Sequence, residues 1–204
     1  MSATDDFNRA DGALGSNWTS PCQAGNASGT VISNQYGGSG GNEQYDGLWV
    51  VQFAADSAVE IDVVSALTGD QEIDPILRAS NVNSGSETGY FMVVQANGTG
   101  NVILYRQNSG TITEISSGNR ATQNFAAGDG IRFRATGSSL SAWIRVSGIW
   151  TNFKTWTDSS ITAGGYAGFS TYRPAVRADN FYAESDFPPL PTPEKARRWM
   201  GLRI

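Results

Sequence analysis

The chain has 204 residues, of which 39% are apolar and only 16% charged, with 24 glycines, one cysteine and no histidine. That length buries a core without covalent staples. The composition excludes Ser-His and Cys-His catalysis, most zinc sites and any intrachain disulfide, and the net charge of −5 argues against a nucleic-acid partner. Low charge with abundant Gly, Ser, Thr and Asn reads as many short strands joined by tight turns. The opening Met1-Ser2-Ala3-Thr4-Asp5-Asp6 has neither a basic start nor an apolar run. No signal peptide and no membrane span are therefore expected.

In chain order, residues 31–53 hold apolar segments split by Gly37-Gly38-Ser39-Gly40-Gly41, a loop signal, and residues 48–53 read as a buried strand. Residues 58–67 alternate, with Val59, Ile61 and Val63 on one face and Glu60, Asp62 and Val64 on the other, as a half-buried strand requires. Residues 75–80 form another short strand. Tyr90 to Gln95, a turn over 96–100 and Val102 to Arg106 form a hairpin, and Thr111 to Ile115 follows the Asn108-Ser109-Gly110 turn. Ile131 to Ala135 alternates strictly. Leu140 to Val146 places Leu140, Ala142, Ile144 and Val146 on one face, and Trp150 to Trp156 continues. Residues 164–169 and 178–183 close the body. Strand signals every ten residues or so, with no βαβ pattern, predict an all-β fold: a two-sheet antiparallel jelly-roll sandwich over residues 1–185.

Residues 186–204 differ. Pro188, Pro189, Pro191 and Pro193 make an extended stretch that cannot join a sheet, and Thr192-Pro193-Glu194 reads as a helix start before 194–200. Lys195, Arg197, Arg198 and Arg203 against Glu194 give residues 187–204 a charge of +3, which leaves −8 on the rest. Arg197, Arg198, Trp199, Met200 and Leu202 put charge and bulky apolar groups on a segment with no core of its own, the composition of an interface anchor.

Three motifs in order carry a resemblance. Asp6-Phe7-Asn8-Arg9-Ala10-Asp11-Gly12-x-Leu14-Gly15-x-x-Trp18 opens the chain, Gly128-Asp129-Gly130-Ile131-Arg132-Phe133 begins a strand, and Gly165-x-x-Gly168-Phe169 precedes Asp179-Asn180-Phe181. Together they resemble the concanavalin A-like lectin/glucanase jelly rolls, the group that includes laminin-G-like domains. The resemblance implies that first and last strands pair, with Phe7, Trp18, Phe169 and Phe181 in the core. It also extends to proteins of bacteriophage virions. A virion component, assembled in the host cytoplasm from subunits of its own kind and others through the 187–204 anchor, is one expectation. A carbohydrate-binding module using aromatics on the concave sheet is the alternative.

Glu60-Ile61-Asp62 resembles the catalytic run Glu-Ile-Asp-x-x-Glu of laminarinase-type hydrolases in this group, whose carboxylates share one strand face. The acid/base belongs at 64 or 65, where Val64 and Ser65 cannot donate a proton. The expectation is therefore a protein that is not an enzyme. Aromatic candidates for a sugar platform are Trp150 and Trp156, which share strand parity, and Tyr36 and Tyr45, which flank the glycine loop. No metal or cofactor is assigned. Relatives that bind calcium through loop carboxylates leave Asp5, Asp6, Asp11 and Asp179 as oxygen donors, although capping and turn roles suit these aspartates better.

Overall fold

The computed structural model describes residues 1–19, 21–41, 44–96 and 98–185. The predicted anchor, Arg197, Arg198, Trp199, Met200 and Leu202, lies outside them. In chain order the strands are β1 (Ser2–Asp5), β2 (Gly12–Ala13), β3 (Trp18–Thr19), β4 (Ala27–Ser28), β5 (Thr30–Ile32), β6 (Gln35–Gly37), β7 (Gln44–Trp49), β8 (Ser57–Val63) and β9 (Glu72–Ser80). They continue with β10 (Thr88–Gln95), β11 (Val102–Asn108), β12 (Thr111–Glu114), β13 (Gly130–Thr136), β14 (Ser139–Val146), β15 (Ile149–Thr157), β16 (Tyr166–Tyr172) and β17 (Arg177–Ser185).

They form two sheets. One has nine strands in the order β15-β14-β13-β8-β17-β6-β5-β2, with β1 also on β17. The other has eight in the order β12-β11-β10-β9-β16-β7-β3, with β4 running parallel to β7. All other pairings are antiparallel, and first and last strands pair through Ala3↔Ala183 and Asp5↔Phe181. The alternation read at 58–67 is realised as far as Val63, where β8 ends, and that at 131–135 throughout: Val59, Ile61, Val63, Ile131, Phe133 and Ala135 are fully buried between the sheets.

An aromatic cluster fills one end of that core. Phe7, Tyr36, Phe169 and Phe181 are almost wholly buried; Trp18 and Phe181 have ring centroids 4.7 Å apart, and Tyr36 and Phe169 lie at 4.2 Å. Burial of each ring stabilises by about 2–3 kcal/mol. The opening motif is held together by one carboxylate. Asp5 accepts bonds from Trp18 Nε1 (2.6 Å), both Arg9 terminal nitrogens (2.6 and 3.0 Å) and Phe7 N (2.8 Å). Arg9 and Trp18 together hold the Asp5 carboxyl low, although its burial acts the other way. Gly168 is required by crowding, since a Cβ there would overlap the Gly47 carbonyl oxygen on the neighbouring strand.

Arg78 is the largest fully buried side chain. It sits at φ 54° between register shifts of β9 against both neighbours, and donates to the carbonyls of Ala55 (2.8 Å), Ile161 (2.5 Å) and Gly137 (2.8 Å). One guanidinium thus ties three loops at one end of the sandwich.

Two strand expectations change. Residues 48–53 are not one buried strand: β7 ends at Trp49, the next amide (Val50 N) bonds to Asn17 O (2.9 Å), and Val50 and Val51 are exposed before Phe53 bridges to Gly165. Val146 is half exposed, because it lies at the tip of the β14–β15 hairpin, past the reach of the opposing sheet.

Candidate functional site

Each sheet has an outer face, and the two differ in what covers them. On the eight-stranded sheet, the segment Cys22–Asn26 crosses the face. Cys22 N, Gln23 N and Asn26 Nδ2 all donate to Asp46 Oδ2 on β7 (2.9, 3.1 and 2.9 Å). Farther along, Ala24 N donates to Glu87 Oε1 (2.8 Å), and Gln23 Nε2 to Gln107 Oε1 on β11 (3.1 Å). Cys22 is buried beneath this segment against Leu48, Ile76, Ala79 and Phe91, as a small apolar filler. The segment closes one side of a groove of about 340 Å³ lined by Gln23, Gln44, Glu72, Asp74, Phe91, Val93, Tyr105 and Ile112.

The groove floor follows from strand register. Asp46, Ser170 and Asp74 are successive cross-strand partners on β7, β16 and β9, and Gln44, Tyr172 and Glu72 form the next row. Glu72 and Asp74 stand two residues apart on β9, so both point to the outer face while Ile73 points inward. Asp74 Oδ2 accepts from Gln44 Nε2 (3.0 Å) and Ser170 Oγ (3.2 Å), and Glu72 Oε1 accepts from Gln95 Nε2 (2.8 Å). Asp74 Oδ1 is buried and, among the described residues, has no hydrogen-bond partner. Loss of water raises the Asp74 carboxyl well above its ordinary range, and the neighbouring Glu72 charge adds to the effect. Burial likewise raises Glu72, and pushes Asp46 up to about 6 despite its three donors. Phe91, Tyr105 and the exposed Ile112 supply the apolar wall. Aromatic faces beside amide and carboxyl groups suit a ligand with both C–H faces and hydroxyls.

On the nine-stranded sheet the outer face is a lattice of ion pairs. Arg132 Nε donates to Glu60 Oε1 (2.7 Å), Arg145 pairs with Asp62, and Asn180 Nδ2 reaches Asp62 Oδ2 (3.1 Å). Glu60 and Asp62 are therefore not simply solvated carboxylates: each is half-buried against an arginine. Burial raises Glu60 even so, with Arg132 opposing. Val64 and Ser65, where an acid/base would stand, follow the strand end.

The aromatic candidates separate. Trp150 pairs with Arg145 and faces outward, whereas Trp156 pairs with Leu140 and is buried, its Nε1 donating to Asn119 O (3.0 Å). The parity expectation fails because β15 carries a bulge: Ala142 pairs with Lys154 and Trp143 with Asn152, so the extra residue, Phe153, inverts the alternation. Phe153 packs on Phe125 instead (6.1 Å). The Trp150 ring lies under the Arg132 guanidinium at 4.2 Å, with Arg145 at 5.4 Å. Tyr36 is in the aromatic core and its hydroxyl donates to Tyr45 O (2.8 Å). Tyr45 is buried as well; its hydroxyl donates to Gly41 O (3.0 Å) and accepts from Gly40 N (3.1 Å), holding the glycine loop. Neither tyrosine offers a free ring face. Asp6 accepts the Asn8 N–H in a local turn, Asp11 accepts the N–H of Ser33 in the distant loop between β5 and β6, and Asp179, within β17, accepts the N–H of the next residue, Asn180.

The groove residues were missed by the sequence reading, although signals were present. Glu72-Ile73-Asp74 repeats the tripeptide tested at 60–62. In β10, Phe91 and Val93 are apolar on the parity opposite to the core residues Tyr90, Met92 and Val94, which marks a strand whose outer face is also partly covered.

No family model matches the chain, and no curated protein sequence does. Solved structures match in fold. The carbohydrate-binding module CBM66 from Bacillus subtilis superposes with a TM-score of 0.53 at 14% identity, over 82% of this chain and 94% of that one. The exoplasmic/lumenal domain of VIP36 in its Ca2+/Man3GlcNAc-bound form gives 0.58 at 12% identity, over 83% and 85%. A xylan β-1,4-xylosidase from Bacillus halodurans gives 0.57 at 11% identity; the match covers 90% of this chain but only 39% of the enzyme. At such identities the likeness speaks for architecture alone: the described residues form a two-sheet jelly-roll sandwich, the fold these structures share.

Proposed function

We propose that this domain binds carbohydrate, without catalysis, in the groove on the outer face of its eight-stranded sheet. The observation that carries the reading is the groove itself: Tyr105 and the edge of the largely buried Phe91 line it together with Glu72, Asp74 and Gln44, and a buried Asp74 oxygen has no hydrogen-bond partner among the described residues. The non-catalytic part rests on the strand beyond Asp74. A third carboxylate at 76 or 77 would complete the run Glu-Ile-Asp-x-x-Glu or its shorter form, and those positions are Ile76 and Leu77. Structural neighbours that are a carbohydrate-binding module and a glycan-bound lumenal domain support the reading. They support it better than the virion role, whose proposed anchor lies outside the described residues.

The test is a glycan array probed with the purified chain, followed by calorimetry on any glycan that binds. Loss of the aromatic wall in Tyr105→Ala should weaken binding about 30-fold, the effect of removing a central anchor, while Trp150→Ala on the opposite face should leave it intact. An array with no binder, or binding lost in Trp150→Ala and kept in Tyr105→Ala, would sink the assignment.

A further inference from the structure

We propose that Glu72 and Asp74 hold one proton between them at neutral pH, and that the groove therefore selects an uncharged sugar, rejects uronic and sulfated ones, and loses affinity when that proton leaves. The ligand part of this inference rests on the carbohydrate-binding reading; the proton part does not.

The geometry comes from three facts. Both carboxyls project from one face of β9, two residues apart, with no lysine or arginine among the described groove residues. Asp74 is 1% exposed, and its two donors, from Gln44 and Ser170, both serve Oδ2. Its Oδ1 is left buried with no partner among the described residues. A second full charge beside Glu72 would be costly in so dry a place, whereas a carboxylic acid there is neutral and gains a donor. A sugar hydroxyl that reaches the half-buried Glu72 meets a floor carrying one negative charge in place of two. An anionic sugar would instead place a charge against this floor with no cation among the described groove residues to offset it.

The other charged and titratable groups around the pair do not supply a counter-ion within it. Asp46 on β7 adds negative charge across Ser170. On β16, Tyr172 partners Glu72, and the Arg173 guanidinium lies 4.5 Å over the Tyr172 ring and pairs with Asp70. On the β11 side stands Tyr105, and beyond it Glu114 is paired with Arg120.

The proton is read directly by carbon-13 carboxyl NMR of the intact protein without ligand, with Glu72→Gln and Asp74→Asn used to assign the two signals. One protonated carboxyl between the pair at pH 7 is expected; two ionised carboxyls at pH 7 overturn the proposal. The selection is read on an array of neutral, uronic and sulfated oligosaccharides at pH 7, where anionic glycans should bind about tenfold or more weakly than neutral counterparts. An anionic glycan that binds as tightly, and loses binding in Tyr105→Ala, overturns it. Affinity for a neutral binder should hold through neutral pH and fall on the alkaline side, and Asp74→Asn should flatten that profile. An unchanged slope in Asp74→Asn also counts against the proposal. If no glycan binds at all, the binding reading fails with its ligand class, and the carboxyl titration still decides the proton.

Discussion

The outer faces of the two sheets carry the same tripeptide, Glu-Ile-Asp, and surround it differently. In β8 the central isoleucine enters the core and each acid meets an arginine from the next two strands, Arg132 from β13 and Arg145 from β14. In β9 the isoleucine does the same, but the neighbours of the acids are Ser170, Gln44, Gln95 and another carboxylate, Asp46. A strand fixes only which side its acids face. Whether those acids form a rigid ion lattice or a dry, proton-hungry floor is decided by the strands beside them, which lie far away in sequence. The first arrangement satisfies the surface; the second leaves unmet hydrogen-bonding capacity, the property a binding site needs.

The largest expected effect tests the acidic face through Asp46. Its carboxyl is raised from 3.8 to about 6 by burial, so between those values the folded protein keeps a proton that the unfolded chain has lost. Stability from this group is therefore highest below pH 4, falls as pH rises, and is lower by about 3 kcal/mol above pH 6. Asp46→Asn cannot titrate. In urea melts at pH 4 and pH 7, the wild-type-minus-variant difference should shift by about 3 kcal/mol against the wild type. A constant difference would mean that the three N–H donors already sustain the charged form.

The next effect tests the ion lattice. Arg132→Ala strands Glu60 in a half-buried site, and a loss of about 2 kcal/mol at pH 7 is expected, below the range for fully buried pairs because both side chains keep some exposure. Without Arg132 the Glu60 carboxyl rises further. The penalty should thus shrink toward pH 4, where the acid is protonated in both states. A pH-independent loss would assign the effect to the missing cover on Trp150 and not to charge. Trp150→Ala itself should cost about 1 kcal/mol through its guanidinium contacts.

Much of this architecture was legible in residues. Period-two alternation at 58–67, as far as Val63, and at 131–135 set the inward faces, and the family resemblance implied that Phe7, Trp18, Phe169 and Phe181 lie in the core. Local pattern failed where a single inserted residue or a distant strand decides the outcome. Phe153 reads as an ordinary strand residue, yet its bulge turns Trp156 inward and leaves Trp150 out. Tyr36 and Tyr45 beside a glycine loop have the composition of a binding site, but both rings are buried. The groove needs β7, β16, β9, β10, β11, β12 and the Cys22–Asn26 segment together, and nothing in one stretch of chain reports that assembly. The first Glu-Ile-Asp resembles a catalytic run, while the second, twelve residues later, lines the groove.

The smallest effect separates the faces most cleanly, because it depends on screening. Asp62 and Arg145 keep 20% and 28% side-chain exposure, so their attraction passes partly through water and ions. Asp62→Asn should cost about 0.5 kcal/mol at low salt, and Arg145 retains its contact with Trp150 in the variant. At about 1 M salt the Debye length falls to about 3 Å, and that cost should vanish. The same change in β9, Asp74→Asn, removes a group that is almost wholly buried and that has no ion-pair partner among the described residues of the groove. Its effect on stability should not depend on salt, since ions do not reach it. Urea midpoints for both variants at 0.05 and 1 M sodium chloride provide the check. Equal salt dependence in the two would mean that water reaches the floor of the groove as freely as it reaches the ion lattice, and the contrast between the two tripeptides would collapse.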